Sequence, residues 1–149
     1  MDYAVRPYNH NDYDFAWALH IKENGPYINR HTTYSMDEVK TWFDILVEKQ
    51  LGFIIESKGQ KIGCYFLDCN DEYTKLNRFF LIEEAQGKGL GSRILENIFR
   101  EFIKPDKEFR ISVLEDNPVQ KFWLSKGFIA VSTDEDHLTL MKYQPEITK

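Results

Sequence analysis

The segment Gln86-Gly-Lys-Gly-Leu-Gly-Ser92 constrains this chain more than any other. It stands between an apolar run, Leu76 to Ile82, and a stretch with helical spacing, in which Ile94, Leu95, Ile98, Phe99, Phe102 and Ile103 share one arc. Arg93, Glu96, Asn97, Arg100 and Glu101 share the other. Glycines between a strand and an amphipathic helix let the backbone approach a ligand closely. Successive N–H groups at the helix start suit an anion such as phosphate. Lys88 adds a positive charge, and the plain alternative is a tight turn with no ligand.

Spacing excludes two other phosphate loops. A Rossmann fingerprint needs a third glycine that neither Gly87-Lys-Gly89 nor Gly89-Leu-Gly91 supplies, set in a βαβ unit. A Walker loop needs Gly-Lys-Ser/Thr, and here Gly87-Lys88 is followed by Gly89.

The rest of the chain fits around this segment. Tyr3 to Arg6 reads as a short strand stopped by Pro7, and Asp12 sits where an N-cap would, ahead of Phe15, Ala18 and Leu19 at helical spacing. Glu23 to Tyr34 has turn chemistry at Asn24-Gly25-Pro26 and no clear period, so a loop or a broken helix is expected there. Ser35-Met-Asp-Glu38 is a capping box, followed by Val39, Trp42, Phe43 and Leu46 on one face, with Trp42 and Phe43 read as core. Leu51 to Glu56 and Ile62 to Leu67, joined by Lys58-Gly59-Gln60, predict a hairpin, and Leu76 to Ile82 a third antiparallel strand. Beyond the glycine helix, which Lys104-Pro105-Asp106 ends, come a strand (Phe109 to Leu114), a short helix (Pro118 to Lys126) closed by Gly127, and a hairpin of Phe128 to Thr133 and His137 to Tyr143. No repeat or low-complexity linker divides the chain, which predicts a single domain over 1–149.

Composition narrows the class of partner. The 149 residues are 42% hydrophobic and 29% charged with a formal net charge of -5, which predicts an ordered globule and argues against nucleic acid or an anionic membrane. Asp2, Arg6, Asp12 and Asp14 leave no apolar signal core in the first twenty residues, so a cytoplasmic protein is expected. Cys64 and Cys69 lie at an odd separation on one strand, which predicts opposite faces and no disulfide. His10, His20, His31 and His137 are scattered, and no metal site is expected.

The pattern Gln/Arg-x-x-Gly-x-Gly/Ala between a strand and a long helix resembles the acyl-CoA pyrophosphate loop of the GNAT N-acetyltransferase superfamily, with Gln86, Gly89 and Gly91 at its fixed positions. Asp116-Asn-Pro-Val-Gln-Lys-Phe-Trp-Leu-Ser-Lys-Gly-Phe128 resembles the family's second cofactor motif, and the Arg6-Pro7 strand, the Asp12 helix start and the closing Met141-Lys142 strand extend the resemblance over nearly the whole chain. It implies an α/β (α+β) fold: a mixed, mostly antiparallel seven-stranded sheet splayed between strands 4 and 5, with about four helices packed on it. It also implies acetyl-CoA as cofactor. The pantetheine would pair with the backbone of Leu81, Ile82 and Glu83, and N–H groups from Gly87, Lys88, Gly89, Leu90, Gly91 and Ser92 would hold the pyrophosphate behind Gln86. Leu81 N–H would donate to the thioester carbonyl.

The same resemblance places Asn117, Phe122, Trp123 and Lys126 at the cofactor. Trp123 stands where the family often has a Tyr that protonates the leaving thiolate, and an indole N–H is a poor acid. Asp116 and Asn117 compete for the family's Asn position, and Lys126 either reaches a phosphate or caps its helix. Glu72 is the candidate base, against a plain reading as a solvated turn carboxylate. Tyr27, His31 and Tyr34 are candidate acceptor-pocket residues, or they pack on the sheet. The implied activity is acetyl transfer to a primary amine of a small molecule or an exposed peptide amino group, by a monomer or homodimer. An acidic surface suits cationic acceptors. A non-catalytic acyl-CoA-binding domain of the same fold is the alternative.

Overall fold

The computed structural model describes residues 2–31, 34–135 and 137–143, and the side chains of all of these except 27–31. The elements run β1 (Ala4–Pro7), α1 (Tyr13–His31), α2 (Met36–Lys49), β2 (Leu51–Ser57), β3 (Gln60–Cys69), β4 (Tyr73–Leu81), α3 (Leu90–Phe102), β5 (Glu108–Leu114), α4 (Val119–Ser125), β6 (Phe128–Thr133) and β7 (Leu138–Tyr143). Single 3-10 turns lie at His10–Asp12 and Glu83–Ala85. The strands form a seven-stranded sheet in the order β1-β2-β3-β4-β5-β7-β6. Every neighbouring pair is antiparallel except β4 and β5, which run parallel.

Local chemistry accounts for the hairpin between β2 and β3. Lys58 and Gly59 both have positive φ, 52° and 77°, the pair of left-handed residues that a two-residue turn matched to strand twist requires. Alternation along β2 and β3 then sends Ile54, Cys64 and Phe66 to one face of the sheet and Ile55, Tyr65 and Leu67 to the other. Ala16 and Leu19 of α1 and Phe43 and Leu46 of α2 cover the first face. Leu90, Ile94, Leu95 and Ile98 of α3, with Trp123 of α4, cover the second. Among the described residues no helix is long and apolar enough to cross a membrane.

The sheet parts in its middle. Pairing of β4 with β5 stops at Leu76 and Ile111, while β4 stays on β3 as far as Leu81 and β5 stays on β7 as far as Leu114. Asn77 to Leu81 therefore face a wedge, which is the splay expected between the fourth and fifth strands. A bulge sits at the point of parting: Cys64 opposes Phe80 but Phe66 opposes Asn77, so β4 carries one residue more than β3 over this stretch. Arg78, within the bulge, takes a left-handed φ of 54°.

Two expectations near the N-terminus are corrected. Glu23 to His31 is neither a loop nor a broken helix but the second half of α1, which runs through Asn24-Gly25-Pro26. Pro26 has no N–H to offer the Lys22 carbonyl, but both residues are exposed, so the missing bond costs less than it would in the core and the helix continues. Asp12 is not a free N-cap either. Asn9 caps the 3-10 turn, and Asp12, its side chain 1% exposed, accepts from Arg6 at 2.8 Å, from Lys61 at 2.8 Å and from the Asn9 N–H at 2.9 Å. Pro7 ends β1 from inside the strand, which costs nothing in a four-residue strand at the sheet's edge. The Ser35 capping box forms as expected, with Glu38 N–H donating to Ser35 Oγ at 3.1 Å and Ser35 N–H to Glu38 Oε1 at 3.2 Å.

Candidate active site

The wedge opens into a cleft of about 1130 Å³ walled by β4, β5, the start of α3 and parts of α1, α2 and α4. At its head stands the glycine segment. Gly87 and Gly89 have φ of 74° and 78°, and a Cβ at either would meet nothing within 4 Å, so the backbone angle alone reserves both positions for glycine. Arg93 N–H bonds the Gly89 carbonyl at 3.2 Å. The N–H groups of Leu90, Gly91 and Ser92 precede it, and no side chain caps the helix. Three unclaimed donors and the positive end of the α3 dipole thus meet at the wedge, a fit for a phosphate group.

Ladder geometry sets which β4 groups face the cleft. Ile82 N–H donates to the Ile62 carbonyl at 2.8 Å, and antiparallel bonds come from alternate residues, so Leu81, opposite Gly63, turns its N–H and carbonyl away from β3. Gln86 Nε2 donates to that carbonyl at 2.9 Å and to Glu23 Oε1 at 3.0 Å. The Leu81 N–H remains toward the wedge. Ile82 is already spent: its N–H is on β3, and its carbonyl accepts from Ala85 N–H at 3.0 Å. Glu83 is exposed, with its carbonyl taken by Gln86 N–H at 3.1 Å and its carboxylate 3.4 Å from Lys22. The open strand edge is thus Asn77 to Leu81, upstream of the expected Leu81 to Glu83.

Other expected cofactor residues divide between the cleft and its surroundings. Asn117, not Asp116, lines the cleft, where its Oδ1 accepts from Val119 N–H at 3.0 Å and so starts α4. Phe122 lines it too. Trp123 shows one edge there but is 4% exposed and packs edge-on against Phe79 and Phe128, which makes it a core residue. Leu90 is buried on the core side of α3. Lys88 is exposed outside the cleft wall, and Lys126 caps α4 with its Nζ 5.7 Å from the Phe122 ring.

The side of the cleft toward α1 and α2 carries the remaining polar chemistry. Tyr34 lines it, edge-on to Trp42 at 4.5 Å. Trp42 is 45% exposed, so the core role expected of it goes to Phe43 alone. Tyr27 and His31 lie on the last turns of α1 and their side chains fall outside the described residues. Glu72 precedes β4 at the end remote from Leu81 and lines a separate concavity with Glu96 and Arg100, which removes it from the reacting end of the cleft. Glu23, Asp68 and Asp134 are the carboxylates on the cleft wall. His20, stacked on Phe43, is held neutral: burial, then the charge of Arg78, pushes its pKa down to about 3. Burial, then Arg78, also holds the Lys75 ammonium below its ordinary value.

A mixed sheet parted beside an uncapped, glycine-led helix start frames a cleft for a phosphate-bearing ligand gripped by backbone. Residues 48–130 match the family model of the acetyltransferase (GNAT) domain, and the chain belongs to that family. Among solved structures it is similar to the PaiA N-acetyltransferase from Thermoplasma acidophilum in complex with coenzyme A, at 19% identity over 97% of this chain and 100% of that one, with a TM-score of 0.71. It is likewise similar to an acetyltransferase from Thermus thermophilus (19% identity over 95% and 96%, TM-score 0.74). A GNAT family acetyltransferase from Elizabethkingia anophelis with acetyl-CoA bound matches at 13% identity over 96% and 98%, with a TM-score of 0.69. Among curated proteins, no sequence matches. Acetyl-CoA is the cofactor of this family.

Proposed function

We propose that this chain transfers the acetyl group of acetyl-CoA to a primary amine, of a small molecule or of an exposed peptide amino group, by direct attack in a ternary complex. The observation that carries this reading is the uncapped start of α3 at the head of a wedge whose β4 edge keeps the Leu81 N–H free. Acetyl-CoA supplies a thioester. Leu90, Gly91 and Ser92 N–H groups bind its pyrophosphate, Asn77 to Leu81 receive the pantetheine as a missing strand, and Leu81 N–H polarises the thioester carbonyl. The amine nitrogen bonds the carbonyl carbon, the C–S bond breaks, and the sulfur leaves as thiolate, to be protonated from solvent. An ammonium has no lone pair to attack with, so a base must take its proton. We assign that role to Glu23, which Gln86 ties to the Leu81 carbonyl.

The test is a calorimetric titration with acetyl-CoA, with NADH and ATP as controls, followed by thiol release over an amine panel. Micromolar binding of acetyl-CoA alone and thiol release with at least one amine are expected. A second reading, a non-catalytic acyl-CoA-binding domain, is favoured by Trp123, a buried indole at the position of the family's frequent proton donor. It predicts binding without thiol release on any amine. No binding at all would sink both readings.

A further inference from the structure

We infer that the acceptor carries a carboxylate beside its amine, as an amino acid does, and that Arg78 and His20 form the subsite that holds it; this rests on the acetyl-transfer reading. Among the described residues, the buried side-chain nitrogen and oxygen atoms without a hydrogen-bond partner are Arg78 Nε and His20 Nδ1. Both residues line the same cleft, and they lie close enough for the Arg78 charge to act on the His20 ring.

The charge pattern makes this specific. The chain has 24 acidic and 19 basic residues, and four half-buried cations find carboxylates: Arg6 and Lys61 at Asp12, Arg110 and Lys142 at Glu108. Arg78 has no ion pair among the described residues. A half-buried guanidinium whose Nε lacks a partner keeps an unmet charge, and a ligand that brings an anion completes the site. The β4 bulge and the left-handed φ of Arg78 hold it at the parting of the sheet, where its charge acts on His20 of α1 and on Cys64 of the face that α1 and α2 cover.

A carboxylate matches both groups, since one oxygen accepts from the guanidinium and the other from the N–H of a neutral imidazole.

The experiment compares each of the twenty amino acids with its own carboxamide, in thiol release with acetyl-CoA and in calorimetric titration of the CoA-loaded full chain. At least one acid is expected to exceed its amide by about tenfold or more in kcat/KM, chiefly through KM, because a site built for the anion leaves its donors unpaired with the amide. C-terminal dipeptides against their amides separate a free amino acid from a peptide end. Arg78→Gln should erase the acid-over-amide preference in KM, and Arg78→Lys should restore part of it. Acids and amides within twofold of each other, or a preference that survives Arg78→Gln, would overturn the inference. Tight binding of an acid without turnover would keep the subsite and sink the transfer reading, whereas thiol release only with amines lacking a carboxylate would keep the transfer and sink the subsite.

Discussion

The His20 imidazole packs against Trp17, Phe43 and Phe80 and is 2% exposed, which leaves little room for a proton's hydration shell. With the folded pKa of His20 near 3 and the free value near 6.5, the unfolded chain binds a proton that the folded chain refuses in between. Its contribution is therefore present above about pH 6.5 and lost as pH falls, by up to about 1.4 kcal/mol per pH unit. Denaturant melts of His20→Gln between pH 7 and 4 should show a shallower acid slope than the wild type; an unchanged slope would mean that the ring protonates in the fold. Glu23 makes a kinetic prediction at the same scale. With Glu23 as the base, Glu23→Gln should lower kcat/KM by about 100-fold, chiefly through kcat. A drop of less than about threefold would leave Glu23 as the anchor of Gln86 only.

Elements tell where local rules suffice and where they stop. Gly89 is the N-cap of α3 at φ 78°, so Gly89→Ala places a Cβ in a left-handed residue at a cost of about 1–2 kcal/mol. Relief of that strain turns the first N–H groups of α3 off their aim. We expect acetyl-CoA affinity to fall about tenfold, with a drop of a few degrees in Tm, measured by calorimetry and thermal melting. The strands and α3 were legible because their apolar residues repeat at two or at about three and a half, and the Ser35 capping box because its bonds lie within four residues. The second half of α1 was not: Asn24-Gly25-Pro26 is turn chemistry in isolation, and only the exposure of Pro26 and Lys22, which the fold decides, lets the helix pass through it. The β4 bulge was equally hidden, since no glycine marks it and Arg78 takes the left-handed conformation instead. That is why the glycine segment stood out in the sequence while the cleft wall that Glu23, Trp42 and Arg78 build from three elements did not.

At the scale of the molecule, Asp12 joins β1, the start of α1 and β3 through Arg6 and Lys61. Its partners hold its carboxyl well below the usual range, the Arg6 hydrogen bonds most of all. A depressed folded pKa gives stability that is present above about pH 4 and lost as pH falls below it. Asp12→Asn should cost about 2 kcal/mol at pH 7, less than the 3–5 of a fully buried pair because Arg6 and Lys61 are partly exposed. The variant should lose less than the wild type on acidification, and parallel acid titrations by circular dichroism would contradict the assignment. The parting of the sheet has a consequence of another kind. An unpaired run from Asn77 to Leu81 is an edge strand placed in the interior, and an edge strand accepts any extended chain that offers its backbone. Whatever normally lies in the wedge therefore also shields the protein from its own neighbours. Stored without acetyl-CoA, it should aggregate sooner than it unfolds, and light scattering during heating, with and without the nucleotide, would show it.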